Sequence, residues 1–483
     1  MKKLYISLVF VFFTFFTDAQ HLNDANWVLG INPTLGTLVN FTKDTFIVKN
    51  FPKKNGLDGM STSFSNDKGE LLYYTNGCSI QNSKDNTILG GDNLLVGSVL
   101  NNYCYSGPGV TQMSVFLPFP NSDTLYYLYS TVDDNLTGDK LYLLTISKSK
   151  DAVIKKELIL EEKMCNSANF IATKHNNGKD WWIVASQKEY EYYISLLLTQ
   201  NGITQIIKKP FYKKPLFGFE YSGQVAFSPN GLYYARTGFK TDLHLFDFDR
   251  CTGLLTNERF IKIVKRQKDE IPTSVSFSPN SRFMYVSSQR ILYQYDLEAF
   301  DIEKSKILID TVETFYDDWW PFPINFYDHS NTLNGKIIIS SASSVSYLHY
   351  INRPNEKGKA CDLRQHSIKL TAVCQGLTSF PNYRLGASGF SCDRDTTKTT
   401  PKPTPLRLYP NPTDDLIYIE SGTGSAISHI DIYDNIGRLV YRGDYKAAEK
   451  IELSTALLAS GLYVLNMTLN DLQKVTQKVV VVH

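Results

Sequence analysis

Two stretches of the chain repeat one short phrase of apolar and polar positions. Val225-Ala-Phe-Ser-Pro-Asn-Gly231 runs into Leu-Tyr-Tyr-Ala, and Val275-Ser-Phe-Ser-Pro-Asn-Ser281 runs into Arg-Phe-Met-Tyr-Val. Each reads as an alternating strand, a Pro-Asn turn that Gly or Ser helps to close, and a second strand. Weaker spellings surround Phe64, Phe116, Phe170, Phe326 and Phe380. With Phe227 and Phe277, these residues mark seven units at intervals of about fifty residues. Between markers there is room for two further strands, as in Asp242 to Asp249 and Phe260 to Val264. The pattern predicts an all-β fold in which four-stranded antiparallel units are arranged radially, a seven-bladed β-propeller.

The unit marked by Phe380 runs into a polar stretch before it can form outer strands of its own. Asn26 to Leu29, Thr37 to Thr42 and Thr45 to Lys49 are strand-like and precede the first marker. They are expected to complete the last unit, so that the two ends of the domain seal the ring and leave no open sheet edge. Six or eight units are the alternative counts. The "FSPNG" spelling followed by aromatic strands resembles the WD-repeat-like propellers of exported Bacteroidetes-type proteins, from Asn26 to about Cys392. That resemblance implies a fold and leaves the activity open.

After Cys392 the composition changes. Asp393 to Pro405 is polar with three prolines, a stiff linker. Beyond it, the segment beginning Leu406-Arg-Leu-Tyr-Pro-Asn-Pro-Thr413 is followed by short apolar runs in Ile417 to Ser421, Ile427 to Tyr433, Leu439 to Tyr441, Lys450 to Leu453, Leu462 to Met467 and Val475 to Val482. Seven such strands predict a small Ig-like β-sandwich. Pro410 and Pro412 are expected to fix an extended approach, and Gly437 to supply the positive φ of a short hairpin. Tyr409-Pro410-Asn411-Pro412, the turn Asp434 to Arg438, Gly461-Leu462-Tyr463 and the terminal Gln477-Lys478 with its valines resemble the type A sorting domain of the type IX secretion system. The resemblance implies that Tyr409, Pro410, Asn411, Pro412, Gly437, Gly461, Tyr463 and Lys478 belong to the sorting signal. It also implies that the partner of this region is the secretion translocon.

The amino terminus fits that route. Lys2 and Lys3 precede the apolar run Leu4 to Phe16 and a small residue, Ala19, as in a secretory signal peptide cleaved after Ala19. The run is short for a bilayer span, so no transmembrane segment is expected in the mature chain. The domain plan is therefore a signal peptide over 1–19, a propeller over 20–392, a linker over 393–405 and a sorting domain over 406–483. The expected destination is the outer cell surface or the medium, by way of the periplasm.

Charge and chemistry narrow the picture further. Fifty Lys and Arg against 48 Asp and Glu leave a net charge of +2, which argues against a nucleic-acid partner. Seven cysteines in an exported chain make disulfides possible: Cys78 with Cys104, and two of Cys361, Cys374 and Cys392. No Cys-x-x-Cys or His-Glu-x-x-His spacing points to a metal, and no fingerprint points to a cofactor. There is no nucleophile elbow, P-loop or dinucleotide motif. His244 and His349 lie in strand-like runs and read as structural. Ser65 to Gly69 partly resembles the Asp-box turn of sialidase propellers, but Leu71 and Leu72 replace its Thr-Trp continuation.

Propeller geometry offers a better surface. Loops leading into the innermost strands gather on one face, so residues shortly before each marker should converge. These are Asp58, Tyr103, Tyr105, Asn166, Glu220, Tyr221, Glu270, Asp317, Asp318, Trp319, Trp320 and Gln375. Carboxylates beside aromatic rings suit a sugar or a peptide, with Trp319 and Trp320 foremost. The expected function is a non-catalytic binding or scaffold module for protein or glycan. The alternative is a glycan-active hydrolase or lyase using two funnel carboxylates, such as Glu220 and Glu270, as acid and base.

Overall fold

The computed structural model describes residues 21–59, 61–133, 137–164, 169–187, 192–211, 223–238, 242–263, 272–299, 301–318, 324–342, 344–388, 392, 407–421, 426–435, 437–469 and 474–483. The chain divides into two compact units, Met1–Cys392 and Asp393–His483, each taken by itself below. The signal-peptide and linker segments expected at 1–19 and 393–405 lie outside the described residues.

Seven antiparallel sheets make up the described part of the first unit. In chain order the first comprises Asn26–Leu29, Gly36–Phe41 and Phe46–Phe51, and the second Thr62–Ser65, Leu71–Thr75 and Ile80–Asn82. The third comprises Ser114–Pro118, Thr124–Val132, Gly138–Ser147 and Ala152–Glu161, and the fourth Phe170–Lys174, Trp181–Ser186, Tyr192–Thr199 and Gly202–Pro210. The fifth comprises Val225–Phe227, Tyr233–Gly238, Asp242–Asp249 and Leu254–Ile261, and the sixth Pro272–Phe277, Phe283–Ser288, Ile291–Asp296 and Ile307–Thr311. The seventh comprises His329–Asn331, Ile337–Ile339, Val345–Ile351 and Leu363–Cys374.

Each sheet is a meander, and its first strand abuts the first strand of the next sheet in sequence order, from the first sheet through to the seventh. This is a β-propeller. Strands sandwiched between neighbouring sheets are buried along their whole length, as in Trp181–Ser186 and Phe283–Ser288. The outermost strands Ala152–Glu161 and Gly202–Pro210 instead expose lysines and glutamates, which keeps the rim from pairing with other chains. Sheets interlock through large aromatics. Trp182 of the fourth sheet packs with Tyr234, Phe246 and Phe248 of the fifth. Its ring presses so closely on Gly253 (φ +72°) that an added Cβ would lie 2.5 Å from a ring carbon, so this turn requires glycine.

The repeated phrase has a local cause. The Ser228 hydroxyl donates to Asn230 Oδ1 at 2.6 Å, and that oxygen also accepts the Leu232 amide. Ser278 and Asn280 repeat the arrangement at 2.6 Å, with the Arg282 amide donating to the same oxygen, and Thr332 with Asn334 repeats the first bond in the seventh sheet. A hydroxyl and an Asn two residues on thus close the hairpin from within.

The domain ends meet. Phe380 packs on Trp27 of the first sheet, with ring centroids 5.7 Å apart, and Leu377 joins the same apolar cluster. The Ile31 amide donates to the Val373 carbonyl, and Ser61 and Thr378 hydroxyls lie 3.0 Å apart. Two expectations need correction. The first and second sheets have three strands among the described residues rather than four. After Ile80–Asn82 the chain forms the helix Gly97–Tyr103, because Leu95, Val99, Val110 and Met113 bury together beside the Cys78–Cys104 disulfide. The second disulfide is Cys251–Cys392, whereas Cys361 and Cys374 are free and buried, so the pairing expected among Cys361, Cys374 and Cys392 is replaced. Those two thiols sit in different apolar clusters, while Cys392 follows a strap that returns to the fifth sheet. Cys165 lies outside the described residues.

The second unit is a two-sheet sandwich. Arg407–Tyr409, Leu416–Glu420 and Lys450–Ser454 form one sheet; Leu439–Ala448, Ile427–Tyr433, Gly461–Leu469 and Lys474–Val481 form the other. Alternate residues Ile417, Ile419, Ile430, Ile432, Leu465 and Met467 fill the space between them.

Candidate functional site

Two places in the propeller combine a cavity with buried polar groups. The first is the central channel, a cavity of about 250 Å³. Gln112 and Gln224, each just ahead of an innermost strand, reach across it. The Gln112 amide donates to the Val225 carbonyl at 2.8 Å and accepts the Val225 amide at 2.8 Å. Gln224 does the same to the backbone of His329, at 2.6 and 3.1 Å. Each glutamine mimics a strand edge and skips one intervening sheet, so the loop end of the channel is bridged twice.

His329 and Asp328 are buried in the wall at that end. His329 Nδ1 and the Ser276 hydroxyl lie 2.9 Å apart, and His329 Nε2 has no hydrogen-bond partner. Burial pushes the imidazole down to about 3, so it is neutral. Burial pushes the Asp328 carboxyl up to about 7, opposed by the Leu377 amide and the Ser274 hydroxyl. Neither residue was among those expected from the sequence, although an Asp-His pair opening an innermost strand was a usable signal. His244 is bonded to Glu258 at 2.8 Å and His349 to the Asn325 carbonyl at 3.2 Å, both in structural settings.

The second place is a groove of about 550 Å³ on the opposite, hairpin-turn face. Lys174 ends the strand Phe170–Lys174 there and is only 5% exposed. Its ammonium stands 3.6 Å from the centroid of the Trp181 ring and donates to the Lys179 carbonyl at 3.2 Å. Burial lowers it to about 7, Asp180 acting in the opposite sense. Arg384, on the strap that follows Phe380, also lines the groove but is neutralised by a two-point ion pair with Asp24, both contacts 2.7 Å.

Of the residues expected on the loop face, some gather. Asp58 bridges Gln375, and its amide donates to the Ser106 carbonyl beside Tyr105. Tyr103 packs against the cluster under the Cys78–Cys104 disulfide, whereas Tyr105 is 72% exposed. Burial raises the Asp58 carboxyl, whose Oδ1 has no partner. Asp317 is buried and accepts the Ser346 hydroxyl at 2.7 Å, and its charge helps to raise the thiol of Cys374, next to Gln375. Asp318 is exposed. Asn166, Glu220, Tyr221, Glu270, Trp319 and Trp320 lie outside the described residues.

In the second unit Asn411 clamps the terminal strand, donating to the Lys478 carbonyl at 2.8 Å and accepting the Val480 amide at 2.9 Å. Pro410 and Pro412 both follow cis peptide bonds and the chain bends there, in place of the extended path expected. Gly437 has φ +83° in its turn, and the Tyr463 hydroxyl donates to the Ala459 carbonyl. Gly461 and Lys478 are exposed.

Residues 407–482 match the family model described as "Secretion system C-terminal sorting domain". Similar solved structures include the β-propeller domain of Cps50 (Swd1) from Myceliophteria thermophila, 11% identical, covering 77% of this chain and 97% of that one with a TM-score of 0.33. Apo AztD from Citrobacter koseri is 10% identical over 73% of this chain and 96% of that one, with a TM-score of 0.36. A functionally unknown protein from Desulfotomaculum acetoxidans is 11% identical over 73% of this chain and 100% of that one, with a TM-score of 0.37. Among curated proteins none matches the chain. The class of protein is defined by its own sheet order and tail: a β-propeller ending in a type IX secretion sorting domain. The tail marks the chain for export to the cell surface or the medium. Among the described residues no helix is long and apolar enough to cross a membrane.

Proposed function

We propose that the propeller is a non-catalytic binding or scaffold module for a protein or glycan, carried through the periplasm and presented at the cell surface or released. Its ring has seven blades, and the domain boundaries fall at 19, 392 and 405. The observation that carries this reading is the double amide bridge of Gln112 and Gln224. It bridges the loop end of the channel twice, and a bridged channel suits surface recognition better than a funnel in which paired carboxylates flank a bond. On that face we place Asp58, Tyr105, Asp317 and Asp318, with Trp319 and Trp320 as aromatic anchors and Glu220, Tyr221 and Glu270 around them. In the tail, Tyr409 to Pro412, Gly437, Gly461, Tyr463 and Lys478 form the surface that the translocon reads.

The test has two arms. Full-length protein is screened for binding and for product on arrays of glycans and extracellular proteins, and a chain truncated before Leu406 is followed in the native secretion system. Saturable binding without product, and retention of the truncated chain in the periplasm, are expected. Product formation lost in Glu220→Gln or Glu270→Gln would replace this reading with the hydrolase or lyase.

A further inference from the structure

We propose that the groove on the hairpin-turn face binds an acidic sugar residue, a uronic acid, with Lys174 taking its carboxylate and Asn23 one of its hydroxyls. This rests on the reading of the propeller as a binding module and names a ligand class for it, at a face away from the loops. Lys174 is a buried cation with one hydrogen bond to a carbonyl, and among the described residues no carboxylate pairs with it. An ammonium brought out of water without a counter-charge is strongly unfavourable, and an anion entering the groove supplies what the protein does not. Of the other cations on the wall, Arg384 already has its anion in Asp24, and Lys148 is only half-buried.

Asn23 is the independent observation. It lines the same groove, is 2% exposed, and its Oδ1 has no hydrogen-bond partner. Its orientation is fixed, because Nδ2 donates to the Ser65 carbonyl at 2.8 Å and towards Asp67 Oδ1 at 3.4 Å. The groove therefore offers a cation that needs an anion and an acceptor that needs a donor. A bare sulfate satisfies only the first, and a neutral sugar only the second. A uronic acid carries both. Asn121 and Ser122 add short hydrogen-bonding side chains suited to further hydroxyls, and the volume falls within the range of about 300–1,000 Å³ usual for ligand sites.

The lowered basicity of Lys174 gives a second readout. Near neutral pH the amine is about half protonated, so carboxylate binding takes up a proton and weakens as the pH rises. The charged groups facing Lys174 are Asp180 on its own hairpin and, across the groove, Lys148, Arg384, Asp67, His21 and the Tyr383 phenol.

The experiment is calorimetric titration of full-length protein with a galacturonic acid trisaccharide and with its neutral galactose counterpart. Wild type, Lys174→Met and Asn23→Leu are compared at about pH 6.5 and pH 8.5. The acidic trisaccharide is expected to bind saturably, about tenfold or more tighter than the neutral one, and about tenfold more weakly at the higher pH. Lys174→Met should abolish binding while melting no lower than wild type, since it removes an uncompensated buried charge. Equal binding of the neutral sugar, unchanged binding in Lys174→Met, or preference for a peptide carboxylate overturns the inference. If neutral glycans or proteins bind and the acidic sugar does not, the groove assignment fails and the binding module stands. If nothing on the arrays binds, both fail.

Discussion

The two ends of the propeller treat buried polarity in opposite ways. At the loop end Gln112 and Gln224 find backbone partners, and burial works against charge on the titratable neighbours, pushing the His329 imidazole down to about 3 and the Asp328 carboxyl up to about 7. At the turn end Arg384 is neutralised internally by Asp24, whereas the buried Lys174 makes no ion pair among the described residues. A closed polar network adds rigidity and specifies one arrangement of the strands. An incomplete one costs stability and leaves a position for something else to fill. The difference teaches where to look for a ligand: at the end whose electrostatics are unfinished rather than the end that is merely polar.

The largest effect should come from the Cys251–Cys392 disulfide, which closes a loop of sequence separation 141 and holds the strap carrying Arg384 and Gly386 against the fifth sheet. Replacing both cysteines with alanine should cost about 3–5 kcal/mol in denaturant titrations. Hydrogen exchange should rise first along Tyr383 to Ser388, and equal loosening around Gln224 and His329 would break the contrast between the ends. Next comes Gln224→Leu. It strips both partners from the buried backbone of His329 and should cost roughly 2–4 kcal/mol, with the turn-face groove still able to bind its ligand.

Lys174→Met should instead stabilise, by about 1–4 kcal/mol at and below neutral pH. Burial lowers the folded-state amine to about 7 from 10.5, so between these values the unfolded chain binds more protons and wild-type stability rises with pH. The advantage of the variant should therefore shrink over that window and vanish above it. A constant advantage would mean that Lys174 acts through packing alone. The smallest effect concerns Asp328 and His329. Between about pH 4 and 6.5 the unfolded state binds the imidazole proton that the fold refuses, so His329 lowers stability as the pH falls. Asp328, protonated in the fold, works the other way. Asp328→Asn should steepen the acid loss by about 1–2 kcal/mol and His329→Gln should flatten it, both read from urea midpoints; His349, also pushed down to about 3, leaves a residual slope.

Much of the architecture was legible because it is written locally. The Ser-Pro-Asn phrase encodes its own hairpin through one hydroxyl and one amide, and the tail's motifs lie within a few residues of the turns they form. The strands before the first marker were assigned to the last unit because no other unit could use them, but they form a three-stranded sheet of their own beside Thr62–Ser65, and Phe380, which lies in no strand, packs on its Trp27. What escaped depends on residues remote in sequence. Cys251 pairs with Cys392 because of a strap whose path only the assembled ring defines. Gln112 and Gln224 look like ordinary loop amides until the sheets place them across a channel. Lys174 carried a faint signal, a cation ending the otherwise uncharged run Phe-Ile-Ala-Thr opposite Trp181. Its burial without an ion pair among the described residues, however, is a fact of three dimensions. The helix Gly97–Tyr103 displaced an expected outer strand because a small core and a disulfide compete there with sheet extension.

The central claim is that the exported propeller binds without reacting. It is tested most directly by incubating full-length protein with glycan and protein arrays while assaying both retention and product. Saturable retention with no product, diminished by Lys174→Met or by Trp319→Ala/Trp320→Ala, is the predicted result. Turnover that disappears in Glu220→Gln or Glu270→Gln would contradict it and make the protein an enzyme.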